Sequence, residues 1–168
     1  MSGRMVGLWT GWALVLLLAA ADLAWHYPQL PERVATHFNA AGVADGWSSR
    51  RSYLTLTIIN LAVLSLLFPG LHLLVRILPP RWINLPRRDY WFAPQREHYT
   101  RARLGELILW VGLPMLATVS GLNHLALRAN LTGTPELGPW PWVIVGANLL
   151  LVLTSVLVFM ARFSRPPR

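Results

Sequence analysis

The chain has 168 residues, 54% of them hydrophobic and only 13% charged, with a mean hydropathy of +0.43; soluble domains carry about 25% charged residues, so a water-soluble globular protein is excluded in favour of a membrane class. The net charge of +8 comes from 15 basic residues, all arginine, set against 7 acidic ones. Their clustering at the ends of apolar runs argues against a nucleic-acid partner, and the lack of cysteine excludes both a disulfide framework and a thiolate metal site.

Four apolar runs, at about 6–25, 53–77, 104–127 and 140–160, each hold about 20 residues or more and can cross a hydrocarbon core of about 30 Å as helices. The predicted fold is an all-α membrane protein with four transmembrane helices, a single polytopic domain over 1–168 with no internal repeat. Arg4 and the small residues Ala19, Ala20 and Ala21 give the first run some likeness to a secretory signal. Its apolar core is longer than the 7–15 residues typical of signals, so it reads as a span. Trp9 and Trp12 near one end and Trp25 at the other have the spacing of interfacial indoles. Asp22, about one turn inside Trp25, is either an acid that reaches the interface or a partner for Arg50, Arg51 or a loop histidine.

The loop 26–52 is dense in turn formers. Pro28 and Pro31 fix an extended entry, Val34 to Phe38 alternate as a short strand does, and Asn39 to Gly42 read as a tight turn with Gly42 at positive φ. Val43 and Ala44 can return as the partner strand before a second turn at Asp45-Gly46, and Ser48 or Ser49 can cap the next helix. A small ordered hairpin or lid is expected, packed on the helix ends through Trp25, Phe38 and Trp47.

Farther on, Pro69-Gly70 interrupts the second span and Pro114 the third, which requires both to face protein. Gly105, Gly112 and Gly121 permit close helix approach. The segment 78–103 is rigid, aromatic and basic, and Pro94 suits the first turn of the helix leading into the third span. Residues 131–139 make a short turn. If the spans cross in sequence, Arg4, Arg76, Arg81, Arg87, Arg88, Arg96, Arg101, Arg103, Arg162, Arg165 and Arg168 share one side and only Arg33, Arg50, Arg51 and Arg128 the other. Arginine bias of this kind predicts a multi-pass protein of the bacterial cytoplasmic (inner) membrane, with both termini and the basic loop cytoplasmic and the hairpin loop outside.

The chemistry-bearing residues concentrate in that outer loop. His37, Asn39 and Asp45, with His26 nearby, offer imidazole and carboxylate groups that suit zinc, although no His-x-x-x-His pair or His-Glu-x-x-His helix is present. The competing reading has His37 and Asp45 fixing the loop by hydrogen bonds, with an Asx turn at Asp45. Within the spans, Asn60, His72, Glu106, Asn123, His124 and Asn148 are polar. Glu106 follows Arg103 by three residues, the spacing of a helical ion pair, and His72 and Arg76 lie one turn apart. Asn123 and His124 are placed to meet Asp22 and the loop.

The loop residues Leu30, Pro31, His37, Phe38, Asn39, Gly42, Asp45 and Gly46 resemble the pattern of a bacterial membrane-domain family of unknown function, found at the N-terminus of the immunity protein against the sporulation-delaying toxin. The run Ile83-Asn-Leu-Pro86 followed by Asp89-Tyr-Trp91 is similar to a second signature of some members. That immunity protein is implied to protect its own cell and to relay toxin presence to a transcriptional repressor at the membrane, and for this chain the resemblance implies a relation to toxin immunity or signalling. Ala35 stands where the family usually has proline, an arginine pair replaces the usual lysine, and the longer immunity proteins carry further helices after this domain.

From these residues the chain reads as a binding, sensing or assembly module. His37, Phe38, Asn39, Asp45 and Trp47 are its binding residues, and it has no catalytic residue and no cofactor. The alternative is a small membrane enzyme or transporter with a polar or metal site at His37, Asp45, Asp22 and His124. Expected partners are membrane lipids, a peptide or protein ligand at the outer loop and a cytoplasmic partner at the basic inner loop, with no nucleic acid.

Overall fold

The structure, a computed structural model, describes residues 3–165. Helix α1 (Gly3–His26) ends in a 3-10 turn at Tyr27–Gln29 and leads to a hairpin of β1 (Arg33–Phe38) and β2 (Ala44–Ser49). Helix α2 (Arg50–Ile77) follows at once. A 3-10 turn at Pro80–Trp82 and a one-turn helix α3 (Arg88–Trp91) connect it to α4 (Glu97–Asn130), and α5 (Trp140–Ser164) closes the chain. The segments Gly3–Gln29, Arg50–Ile77, Glu97–Asn130 and Trp140–Ser164 are all long and apolar enough to cross a membrane. The four-helix class with a small ordered loop therefore stands.

Helix α4 is the centre of the bundle and packs on α1, α2 and α5. Its 34 residues rise about 50 Å at 1.5 Å each, well beyond a 30 Å hydrocarbon core. That surplus length carries α4 out to the hairpin at one end and to the arginine-rich segment at the other.

Three buried clusters stack along the bundle. Leu8, Trp12, Phe68, Leu109 and Leu116 fill the middle, Leu23, Leu30, Val34, Tyr53 and Leu127 the hairpin end, and Val75, Ile83, Leu85, Trp91 and Phe163 the opposite end. Gly105 and Gly112 allow α2 to lie directly on α4: a Cβ at Gly112 would come within 2.7 Å of Phe68 Cβ, and one at Gly105 within 2.8 Å of His72 Nδ1. Helix α5 buries only Phe163 and turns leucines and valines outward, as a lipid-facing helix does.

Several expectations are corrected. Trp12 is buried in the middle cluster rather than free to face an interface, and half-buried Trp9 packs edge-on against His72 at 6.0 Å. Pro69 and Pro114 lie half-buried within continuous helices rather than interrupting them. Pro94 precedes α4, which begins only at Glu97, because Ala93 accepts from the backbone N–H groups of both Arg96 and Glu97 and closes a separate turn.

At the arginine-rich end, basic side chains serve helix C-termini, where carbonyls lack partners and the helix dipole favours cations. Arg101 donates to Val75 O at 2.7 Å and Leu78 O at 2.9 Å and pairs with Glu97. Arg87 donates to Ser164 O at 3.0 Å, and the Trp91 indole to Phe163 O at 2.7 Å. Buried His72 holds Gly105 O through Nδ1, so its Nε2 accepts from Arg76. Arg103 and Glu106 form the i,i+3 pair that their spacing suggests.

Candidate functional site

The hairpin forms because its turn is closed twice over. Gly42 takes φ +79°, the conformation glycine tolerates best, and donates to Asn39 O at 2.8 Å. Asn39 Oδ1 accepts from the N–H groups of Ala41 at 2.9 Å and Val43 at 3.1 Å. Ser49 then ends β2 and caps α2, accepting from Ser52 N at 3.1 Å.

The second turn expected at Asp45-Gly46 does not exist. Both residues lie in β2, where Gly46 faces His37, and the register slips on either side of His37. A Cβ at Gly46 would stand 2.7 Å from His37 Cβ, so this glycine allows a close approach between strands instead of a reversal.

A two-stranded hairpin is marginal alone; this one is fixed to the helices. The side chain of Asn130, at the end of α4, accepts from Ala35 N–H at 2.7 Å and donates to Ala35 O at 3.0 Å. Val34 and Ala35 are fully buried. The tip is held as well, by bonds from Ala44 N to Pro135 O and Leu137 N to Gly42 O, and by the Trp142 indole donating to Ala40 O at 3.1 Å. Arg50 ties the entry, reaching Glu32 at 2.9 Å and Leu30 O at 3.3 Å. Packing on the helix ends runs through Leu30 and Val34 against Leu23, Tyr53 and Leu127. Trp25 and Trp47, expected to do this, are 74% and 43% exposed.

Beneath the hairpin lies a cleft of about 480 Å³ between α2, α4 and the start of α5. His37 and Phe38 line it on the hairpin side, with Leu56, Leu61, Val119 and Leu122 among its apolar walls. Its polar part is a small network in which Asn123 Oδ1 accepts from Tyr53 at 2.6 Å and Thr57 at 3.2 Å. Such a cleft, apolar with few placed polar groups, is the usual form of a small-ligand site.

The structure divides the residues of the alternative reading between two places. His37, at the edge of the cleft, pairs with Asp45, both side chains being largely exposed, and among the described residues no third metal-ligating group joins them. Asn39 is engaged in its own turn, while Trp47 lies with the Arg33 guanidinium over its ring at 5.8 Å. His26, grouped with the loop on sequence grounds, belongs to α1. It meets Asp22 at 3.0 Å, and His124 from α4 meets the same carboxylate oxygen at 2.8 Å.

Residues 14–61, from the middle of α1 through the hairpin into α2, match the domain of unknown function DUF1648. An uncharacterized protein of Archaeoglobus fulgidus is 34% identical over 149 residues, spanning 74% of this chain and 74% of its own. No solved structure matches. This multi-pass membrane protein, with a DUF1648 domain that contains its hairpin, therefore belongs to the same family as the archaeal protein, a family of unknown function.

Proposed function

We propose that the chain is a membrane-bound binding module that takes a short amphipathic peptide into the cleft under its hairpin. The cleft itself carries this reading: its apolar walls suit hydrophobic side chains, and the Tyr53–Thr57–Asn123 network and the His37 edge offer polar contacts. Phe38 and exposed Trp47 are the aromatic types that dominate interfaces. The likeness to the domain of the toxin-immunity protein supports a peptide ligand and a sensing or protective role. An enzyme would need a base held against a nucleophile or a metal-bound water; of the hydroxyls that line the cleft, Tyr53 and Thr57 donate to Asn123, and His37 pairs with Asp45.

The test uses protein in lipid nanodiscs, incubated with the peptide fraction secreted by the host, with retained peptides identified by mass spectrometry. One amphipathic peptide should be retained, with Phe38→Ala and the cleft-filling Leu122→Trp lowering retention at least about tenfold, or about 1.4 kcal/mol. His37→Gln and Asp45→Asn should weaken it partly, and Trp47→Ala at least as much. No retained peptide, or retention indifferent to Phe38 and Leu122, sinks the reading.

The proposed orientation places the hairpin outside the inner membrane and both termini in the cytoplasm, on the arginine bias. The cysteine-free chain lets this be checked in intact cells with single cysteines at exposed Ala41 and Asp89. An impermeant thiol reagent should label position 41 and spare 89. The reverse pattern inverts the topology.

A further inference from the structure

Asp22 and His26 stand one turn apart near the end of α1, on the same helix face. His124 reaches them from α4, across 102 positions of sequence. His124 Nδ1 is bonded to the Asp22 carboxylate at 2.8 Å, while His26 Nδ1 donates to the Asp22 backbone carbonyl at 2.9 Å and lies 3.0 Å from the same carboxylate oxygen; the two rings are set 5.8 Å apart at 75°. One potential ligand atom from each of the three residues lies within 4.8 Å of the others. No arginine is within ion-pairing distance of Asp22 among the described residues; its side-chain neighbours within 4.0 Å that carry an ionisable nitrogen are these two histidines. A partly buried carboxylate at the end of a membrane span, faced only by imidazoles, is a setting in which a cation is favoured.

We infer that Asp22, His26 and His124 bind a divalent transition metal of the zinc class. Two imidazole nitrogens and one carboxylate oxygen make a donor set that suits zinc and its neighbours far better than calcium or magnesium. Tetrahedral bonds of about 2.0–2.2 Å place ligand atoms about 3.3 Å apart. The two imidazole–carboxylate separations of 3.0 Å and 2.8 Å thus need to open by about half an ångström or less, which rotation of the half-exposed His124 and release of His26 Nδ1 from the Asp22 carbonyl can supply. The proton on each Nδ1 leaves, or moves to Nε2, as the metal takes its lone pair.

Three protein ligands leave at least one coordination position for water or a bound anion. Asp22 and His124 border an apolar groove of about 420 Å³ between α1 and α4. His124 also borders a pocket of about 380 Å³ with Arg128, Thr132 and Glu136. Neither Asp22 nor His124 lines the peptide cleft, so the metal site stands or falls independently of that reading.

The experiment takes the full chain, purified without a histidine tag, stripped with a chelator and placed in nanodiscs. Zinc chloride is titrated calorimetrically and cobalt chloride by visible absorption. One zinc per chain should bind, with cobalt giving the bands of a low-coordinate nitrogen and oxygen site and calcium failing to compete. Asp22→Asn and His124→Gln should each weaken zinc at least about tenfold, the scale on which disturbed metal shells register, whereas His37→Gln should leave it unchanged. Failure of the unaltered chain to bind zinc at about 100 µM, a weak affinity of roughly −5 kcal/mol, would reduce the cluster to a hydrogen-bonded network and overturn the inference. So would zinc binding that survives Asp22→Asn and His124→Gln, or that depends on His37. The titration of the unaltered chain decides the matter even if a variant fails to fold.

Discussion

Replacing Gly112 by valine is expected to lower the melting temperature of the detergent-purified protein by about 5–10 °C. The Cβ of any side chain at 112 enters the space of the Phe68 ring, coming within 2.7 Å of Phe68 Cβ, and valine adds two methyl groups beyond it. Phe68 cannot withdraw, because it shares the middle cluster with Leu109 and Leu116, which are fully buried. The helices must therefore separate, and overpacking of this kind costs about 1–3 kcal/mol. In a chain of this length each kcal/mol corresponds to about 2–4 °C. Gly146→Val is the control, since nothing lies within 4 Å of a Cβ there. Equal melting of the two variants would refute direct α2–α4 contact at Gly112.

Asn130→Leu is expected to free the hairpin while the helices remain assembled. Leucine keeps the branched heavy-atom skeleton of asparagine but has no polar atoms, so it leaves the buried N–H and C=O of Ala35 without their partners at 2.7 Å and 3.0 Å. Each abandoned buried group costs about 1–3 kcal/mol. A loss of about 3 kcal/mol speeds amide exchange in 33–49 about 100-fold by making local opening easier. Asn130→Asp should fall between, because it keeps an acceptor for Ala35 N–H and loses the donor. Unchanged exchange in both variants would show that the hairpin does not depend on this pair.

Why Asn130 escapes notice in the sequence is instructive. A single asparagine at the end of a helical run looks like an ordinary terminator, and besides Ala126 O in its own helix its partners are backbone atoms 95 positions away. The four spans were legible because apolar length in a membrane has few other meanings. The first hairpin turn was legible from Asn39 and Gly42, whose local chemistry forces the reversal. Asp45-Gly46 carried the same local signal, yet strand pairing with His37 used the glycine for space. Trp12 illustrates a further limit: an indole near a span end has the same sequence appearance whether it faces lipid or a neighbouring helix. Asp22 and His26 were visible as an i,i+4 pair only once α1 was known to continue through His26. Their meeting with His124 depends on how α1 packs against α4, which hydrophobic periodicity alone does not fix.

A fixed lid over the cleft is what joins the hairpin to the proposed binding role, and hydrogen exchange at the Ala35 amide, in unaltered protein embedded in nanodiscs, measures it most directly. The amide is fully buried and donates to Asn130, so it should exchange as slowly as the amide of Leu127 in α4. Exchange at the rate of an unstructured peptide would show that the hairpin is not a lid, and the cleft beneath it would lose its roof.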